Sequence, residues 1–562
     1  MTRTFNAASR LRLHASERPD APCLRMPSAQ YRTGSPSWDT ITFRELDRLS
    51  DDYARGFAAR GARAGDRVLM LFRPSVDFFA VSFAVFKLGA APVLLDPAMG
   101  LSRLRTCIEQ ANARVLVGLP IVQVLRAVSR RAFAAVELAI TAGAGRLWPA
   151  ALQHVRLEDC RVSSTEPFRL AELPEDAMAS LLFTSGSTGT PKGVIATQTM
   201  FDAQLNSLRD MLELRPGLID MQAFAPFAML DICAGMCAVI PNIDVSKPAA
   251  AAPEEIVAAI QANRPELAFG SPVIWHNVVR HCEQHNVQLP SLKTVMTVGA
   301  PIPAYLHRRL QRFLPEDCQI LTPYGATEAM PVSNIGSAEI LRDTWQHTST
   351  GSGTCVGRPA PGIDLRVIPI TEAAIEHWSD DLALAAGEIG EIVVGGAPVS
   401  PAYQNSPAAN RLSKIRDGER ILHRMGDLGY LDAQQRLWFC GRKAHRLQTA
   451  QGVVSPDPVE GVFNEHPDVF RTALVGVGEP GRQIPVLCVE MDPGRRFSSR
   501  TIADLRRLAE PTRFAGLVQH FLHHPGFPTD ARHNSKIRRE ELREWATRLL
   551  GRELAPASAA AS

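Results

Sequence analysis

The chain predicts an α/β fold over residues 1–441, joined to a smaller α+β unit over 442–554. Three observations carry this expectation. Apolar strand-like runs alternate with amphipathic helix-like stretches through the first 440 residues, the pattern of largely parallel sheets. Glu388-Ile-Gly-Glu-Ile-Val-Val394 is strand-like with turn glycines, which points to a small β-rich subdomain over 350–441. Near 440 the texture changes. Gly441-Arg-Lys-Ala-His-Arg446 is short, basic and polar and suits a junction, and about 110 residues follow it, a workable size for a domain.

The elements follow in order. Val76 to Leu95 is the most apolar stretch, but Asp77, Lys87, Gly89 and Pro92 interrupt it. It reads as a buried helix leading into a strand, not as a membrane span. Met178 to Phe183 and Val194-Ile195 read as strands on either side of a loop, Leu182 to Gly193. In that loop the hydroxyls of Thr184, Ser185, Ser187 and Thr188 alternate with Gly186 and Gly189, and the run ends on Lys192. Glycines allow close backbone approach, hydroxyls and bare N–H groups donate, and the lysine adds charge, so the loop suits a polyphosphate. It is not a Walker A loop, because Lys192 lies between Pro191 and Gly193 and no helix signal follows directly.

Further on, Phe201, Leu205, Leu208 and Leu212 recur at helical spacing. Pro253-Glu254-Glu255 is a helix start with Ile256 and Ile260 on one face. Phe269 precedes a turn at Gly270-Ser-Pro272. Val295 to Val298 is a buried strand, followed by Gly299-Ala-Pro301 and a helix marked by Leu306, Leu310 and Phe313. In the C-terminal unit, Ala473 to Val477 and Ile484 to Glu490 read as strands, and 501–510 and 537–550 as helices. Residues 555–562 are a low-complexity tail expected to be disordered.

Composition narrows the function. Apolar residues make up 45% and charged residues 21%, and the net charge is +3. No basic block suits nucleic acid. The ten cysteines are scattered, with only Cys233 and Cys237 within four residues of each other, so neither a zinc site nor a disulfide framework is expected. A reduced, cytoplasmic protein fits, and Met1 to Asn6 carry no signal-peptide pattern. His276, His281 and His285 lie at roughly helical spacing and read as a helix face rather than a metal site.

Five further segments give the chain a family resemblance. Gly299-Ala-Pro301 is followed by Tyr324-Gly-Ala-Thr-Glu328, then Gly426-Asp-Leu-Gly429, then Gly441-Arg442, and finally Lys536 in His533-Asn-Ser-Lys-Ile537. With the glycine loop, this set resembles the adenylate-forming superfamily of acyl-CoA synthetases, luciferases and peptide-synthetase adenylation domains. The resemblance implies ATP and Mg²⁺, with the C-terminal domain mobile. It assigns the β- and γ-phosphates to Thr184, Ser185, Gly186, Ser187, Thr188, Gly189 and Lys192. Gly299, Ala300 and Pro301 would line the adenine. Tyr324 would stack on the purine, a role for a flat apolar face, and Gly325 belongs to the same nucleotide-binding set. Thr327 would bond the α-phosphate, and Glu328 would be the magnesium ligand. Asp427 would accept the ribose hydroxyls, and Arg442 would contact ribose and phosphate. Lys536 would bridge the substrate carboxylate and the α-phosphate. The implied catalytic residues are Lys536, Glu328 and Thr184.

The chain departs from the general pattern in three places. The lysine motif is stretched between Pro528 and Lys536, with Ser535 in place of a glycine. Ala444 stands where a hinge Asp or Lys is usual, and His423-Arg-Met425 replaces an aromatic-x-Thr. These segments, with Phe224-Ala-Pro-Phe227 and Leu95-Asp-Pro-Ala-Met-Gly100, resemble the β-lactone synthetases of bacterial long-chain olefin biosynthesis. The implied substrate is a long-chain 2-alkyl-3-hydroxyalkanoic acid, which is adenylated and then closed to a β-lactone by its own 3-hydroxyl. A complex with other enzymes of the olefin pathway is implied as well. The alternatives are a medium- or long-chain acyl-CoA synthetase, an acyl-AMP ligase, or an idle nucleotide- or acyl-binding scaffold. Apolar residues near Phe224–Leu230 and Phe269–Trp275 are expected to line the acyl pocket.

Overall fold

The computed structural model describes residues 5–95, 99–143, 155–184, 191–244, 247, 250–529 and 537–553. Two seven-stranded sheets form the bulk of the N-terminal part. In the first, strands run in the order Val155–Arg156, Leu138–Thr141, Val115–Gly118, Arg67–Leu71, Ala91–Leu94, Met178–Thr184, Lys192–Thr197. All are parallel except the last, which turns back on Met178–Thr184 with Lys192 opposite Thr184. The apolar runs on either side of the hydroxyl–glycine loop are therefore paired strands, in line with the strand–loop–strand reading.

The second sheet has the order Gln319–Leu321, Thr294–Thr297, Leu267–Gly270, Ile219–Gln222, Cys237–Val239, Pro22–Pro27, Trp38–Thr42. Only Trp38–Thr42, at the edge, is antiparallel to its neighbour. Both sheets are mostly parallel and buried, so their strands read as continuous apolar runs instead of alternating ones.

The stretch from Val76 forms a helix to Lys87 and then the strand Ala91–Leu94. Ser75 caps the helix by accepting from the Phe78 N–H. Lys87 is wholly buried, and its ammonium is bonded to Asp47 at 2.6 Å and Asp51 at 2.5 Å. Arg12 reaches the same two carboxylates at 2.8 and 2.7 Å. Removing one partner of such a buried group strands the others. Lys87→Ala is expected to lower the unfolding free energy by about 3–5 kcal/mol, read from the urea midpoint.

A third sheet of eight strands is antiparallel and spans Tyr324 to Arg442. Its first two strands, Tyr324–Ala326 and Ala329–Asn334, lie upstream of residue 350. The C-terminal part holds a small sheet of Val469–Val477, Ile484–Met491 and His520–His523, with helices Pro456–Phe463, Ser499–Ala509 and Arg539–Glu553. It packs on the rest through Thr354, whose hydroxyl donates to Asp457 at 2.7 Å, through Arg513, which donates to the Gly351 carbonyl, and through His276 against the Phe470 ring. All ten cysteines are buried and unpaired. Among the described residues no helix is long and apolar enough to cross a membrane.

Candidate active site

One continuous cavity of about 2700 Å³ runs between the sheets and the C-terminal part. Thr184, Lys192, Gly299, Ala300, Pro301, Tyr324, Gly325, Thr327, Glu328, Asp427 and Arg442 all line it. Residues far apart in sequence meet there because strands of all three sheets end on it. Ser185, Gly186, Ser187, Thr188, Gly189 and Lys536 lie outside the described residues.

Asp427 and Arg442 sit opposite each other on adjacent antiparallel strands. The preceding Gly426 has φ +66°, a left-handed conformation that glycine adopts without strain, at the point where its strand shifts register against Gly390–Gly395. Arg442 Nη1 is 2.9 Å from Asp427 Oδ1, and the Tyr324 hydroxyl donates to Oδ2 at 2.6 Å. Burial, reinforced by the Asp427 charge, holds the Tyr324 phenol well above its ordinary range, so it stays a donor. The Asp427 charge also raises Arg442. Each carboxylate oxygen keeps further lone-pair capacity for a diol. Gly325 is tightly placed, since a Cβ there would stand 2.8 Å from the Ala329 carbonyl oxygen.

Glu328 lies in the turn between the first two strands of the antiparallel sheet. Its Oε1 accepts from the Tyr403 hydroxyl at 2.7 Å, and its backbone carbonyl accepts from Ser400 N–H at 2.7 Å. The Tyr403 ring carries two cations, Lys192 Nζ at 5.1 Å and Lys414 Nζ at 5.5 Å from its centroid. Lys414 donates to the Ser400 carbonyl at 2.6 Å, and burial pushes its ammonium down to about 7 against the pull of Glu328. Tyr403 thus ties the loop lysine to the acidic turn.

Tyr403 and Lys414 are not among the residues expected from sequence. Nothing in Pro401-Ala-Tyr-Gln-Asn405 marks the tyrosine, because its partner is 75 positions away. Tyr403→Phe is expected to slow adenylation about tenfold and to raise the Mg²⁺ concentration needed for half-maximal rate, as measured by a magnesium titration of pyrophosphate release.

The segments expected to line an acyl pocket border the cavity, with one exception. Phe224, Phe227 and Phe269 line the cavity in successive edge-to-face contacts of 5.0 Å each. Trp275 does not line it. Its ring is turned into the core behind the cavity and is wholly buried, because its helix presents that face to the second sheet. At the junction, Lys443 donates to Glu391 at 3.1 Å, and Arg424 pairs with the same carboxylate at 2.5 Å. Ala444 lies between Lys443 and His445 in a single 3₁₀ turn, and His445 stands 3.5 Å from Glu540 of the C-terminal part.

The donor set fits a magnesium-bound triphosphate. Thr184, Lys192, Thr327 and Glu328 line the same cavity, and hard Mg²⁺ takes carboxylate and phosphate oxygens. Fold and site together define an enzyme that handles a nucleotide at the meeting of parallel and antiparallel sheets. The chain belongs to the AMP-binding enzyme family, whose sequence pattern matches residues 11–404. It is 41% identical over 97% of its length to an olefin beta-lactone synthetase of Xanthomonas campestris, covering 98% of that protein. It is 42% identical to the protein of the same name from Stenotrophomonas maltophilia, over 97% of this chain and 99% of the other. Among solved structures it resembles the amide bond synthetase of Marinactinospora thermotolerans, with a TM-score of 0.78, 21% identity and coverage of 96% and 99%. It also resembles the o-succinylbenzoate CoA synthetase of Bacillus subtilis in complex with ATP and magnesium, with a TM-score of 0.74, 20% identity and coverage of 96% and 100%. Those two likenesses show the fold: an α/β enzyme with a large N-terminal and a smaller C-terminal domain.

Proposed function

We propose that the protein activates a long-chain 2-alkyl-3-hydroxyalkanoic acid with ATP and closes it to a β-lactone, releasing AMP and pyrophosphate. The observation that carries this reading is the near full-length identity to two olefin beta-lactone synthetases. It is an ATP-dependent, AMP-forming ligase reaction, and Mg²⁺ accompanies the nucleotide.

In the first half-reaction a carboxylate oxygen attacks the α-phosphorus and pyrophosphate leaves. In the second, the 3-hydroxyl oxygen attacks the acyl carbon, the bond to AMP breaks, and the hydroxyl proton is lost. Two anions must meet in the first step, so charge compensation dominates it. In our reading Thr184, Lys192 and the loop residues hold the β- and γ-phosphates, and Glu328 holds Mg²⁺, which supplies positive charge at the phosphates. Asp427 and Arg442 take the ribose, with Tyr324 on the purine and Gly299 to Pro301 along its edge. Tyr403 positions Glu328 relative to Lys192. Lys536 supplies the remaining cation, and Lys536→Ala is expected to slow pyrophosphate exchange at least roughly 10²-fold while leaving ATP binding in place. Equilibrium binding of a fluorescent ATP analogue checks the second half of that expectation.

The domain division is placed at 441/442, a reading supported by the end of the antiparallel sheet at Arg442 and the 3₁₀ turn Lys443–His445 that follows it. We further infer a cytoplasmic setting, supported by ten unpaired cysteines, and assembly with other enzymes of olefin synthesis, one of which decarboxylates the lactone to an alkene. The test of the function is incubation with the acid, ATP and Mg²⁺ without CoA, followed by identification of the lipid product. A β-lactone with AMP supports the reading. ADP as product, or a thioester formed only with CoA, refutes it.

A further inference from the structure

We propose that the cavity holds the two alkyl arms of one substrate in two separate apolar limbs, one at the carboxyl ends of each parallel sheet, and that the limb along 119–128 opens to the surface. The proposal rests on the function proposed above, since it concerns the substrate of that same site.

The cavity of about 2700 Å³ takes in the nucleotide residues and the groove against the C-terminal part as well as apolar walls from both parallel sheets. Its shape follows from topology. In open α/β sheets ligands bind beyond the carboxyl ends of the strands, and here two such sheets end on one space.

The limb over the second sheet begins after Ile219–Gln222 and Leu267–Gly270 and is walled by Phe224, Phe227 and Phe269. Further along it is lined by Ile274 and Leu306, which are 3% and 2% exposed, so this side of the cavity meets buried core. The limb over the first sheet begins after Arg67–Leu71, Ala91–Leu94 and Val115–Gly118. Phe72 and Phe78 meet edge to face at 5.4 Å on one side of it, and Leu104, Val122 and Leu125 line it further along.

This second limb does not end in the core. Its rim carries Leu101, Ile121 and Val128, which line the cavity yet are 53%, 65% and 70% exposed. Single exposed apolar side chains need no explanation. Three on one rim, continuous with an apolar channel to the reaction site, have the chemistry of a hydrocarbon exit. An acid branched at C2 has two hydrocarbon arms diverging from the reacting carbons, and a single channel cannot take both. The geometry therefore gives one arm a length limit and leaves the other without one.

The test uses the full chain with ATP, Mg²⁺ and 2-alkyl-3-hydroxy acids in which one arm is lengthened while the other is kept short. Pyrophosphate release and lactone are both measured. The wild type is expected to show a sharp length cut-off for one arm and a nearly flat profile for the other. Val122→Trp should cut kcat/KM about tenfold or more for acids long in the unrestricted arm, the scale of losing contact with a few methylenes, and leave acids short in that arm within about twofold. Ile121→Lys, on the exposed rim where folding is not at stake, should shift the same profile in the same direction. Equal loss for every acid, or identical profiles for the two arms, would overturn the two-limb arrangement. Pyrophosphate release reads the limbs whether or not the ring closes, so failure of the lactone reading shows separately, as length-dependent pyrophosphate without lactone.

Discussion

Glu328→Ala is expected to slow ATP–pyrophosphate exchange by roughly 10²- to 10³-fold, the scale for losing a preorganised charge contact at a reacting phosphate. Glu328 faces the cavity from a tight turn, its carboxylate held by Tyr403, whose ring also carries Lys192. Through Tyr403 the arrangement links a carboxylate, proposed above to hold magnesium, to a lysine proposed to hold phosphate. Removing the carboxylate should leave the fold intact, because its side chain is only partly buried and its one described side-chain hydrogen bond is to a hydroxyl. The thermal midpoint should therefore stay close to that of the unaltered protein. Glu328→Gln separates two explanations. Its amide oxygen can still accept from Tyr403 but carries no charge. If charge is what matters, Gln is as slow as Ala. Near-normal exchange by the Gln variant would show that Glu328 only props the turn, and the metal assignment would then be withdrawn.

Much of this site was legible in the sequence because its pieces are local. The strands on either side of the hydroxyl–glycine loop follow from two apolar runs, and they pair with Lys192 opposite Thr184. The helix from Val76 and the strand after it follow from the placement of Gly89 and Pro92 beyond the helix end. The Pro253 start and the helical spacing from Phe201 are likewise local signals, and both helices form. What the sequence hid is long-range. Asp427 and Arg442 are near neighbours in a hairpin, but Tyr324 reaches Asp427 across 103 positions, and Tyr403 reaches Glu328 across 75. No periodicity encodes such a meeting; it depends on how separate sheets stack. Trp275 was misplaced for a related reason. Periodicity marks a helix as amphipathic but does not say which of two apolar surroundings, core or cavity, its face will meet. The buried Lys87 is a third instance: an interrupting charge in an apolar run is solvated by Asp47 and Asp51 of another helix, which the run itself does not announce.

The 3-hydroxyl of the substrate is expected to be indispensable to the second half-reaction. An acid with the same two alkyl arms but no 3-hydroxyl should undergo adenylation, give a burst of about one pyrophosphate per site, and then stop with acyl-AMP bound. The reason is entropic. The hydroxyl is carried by the substrate itself, so positioning within the site takes the place of recruiting a second nucleophile. An enzyme that relies on this needs no second binding site for CoA. Ala444 and the segment from His533 to Lys536 depart from the acyl-CoA synthetase pattern. Rapid-quench measurement of pyrophosphate and acyl-AMP, with and without CoA, decides the point. A burst that CoA does not relieve, together with lactone from the hydroxylated acid alone, is the expected result. Steady turnover of the deoxy acid to a thioester once CoA is added would mean that the second nucleophile comes from outside. The chain would then be an acyl-CoA synthetase with an unusual junction.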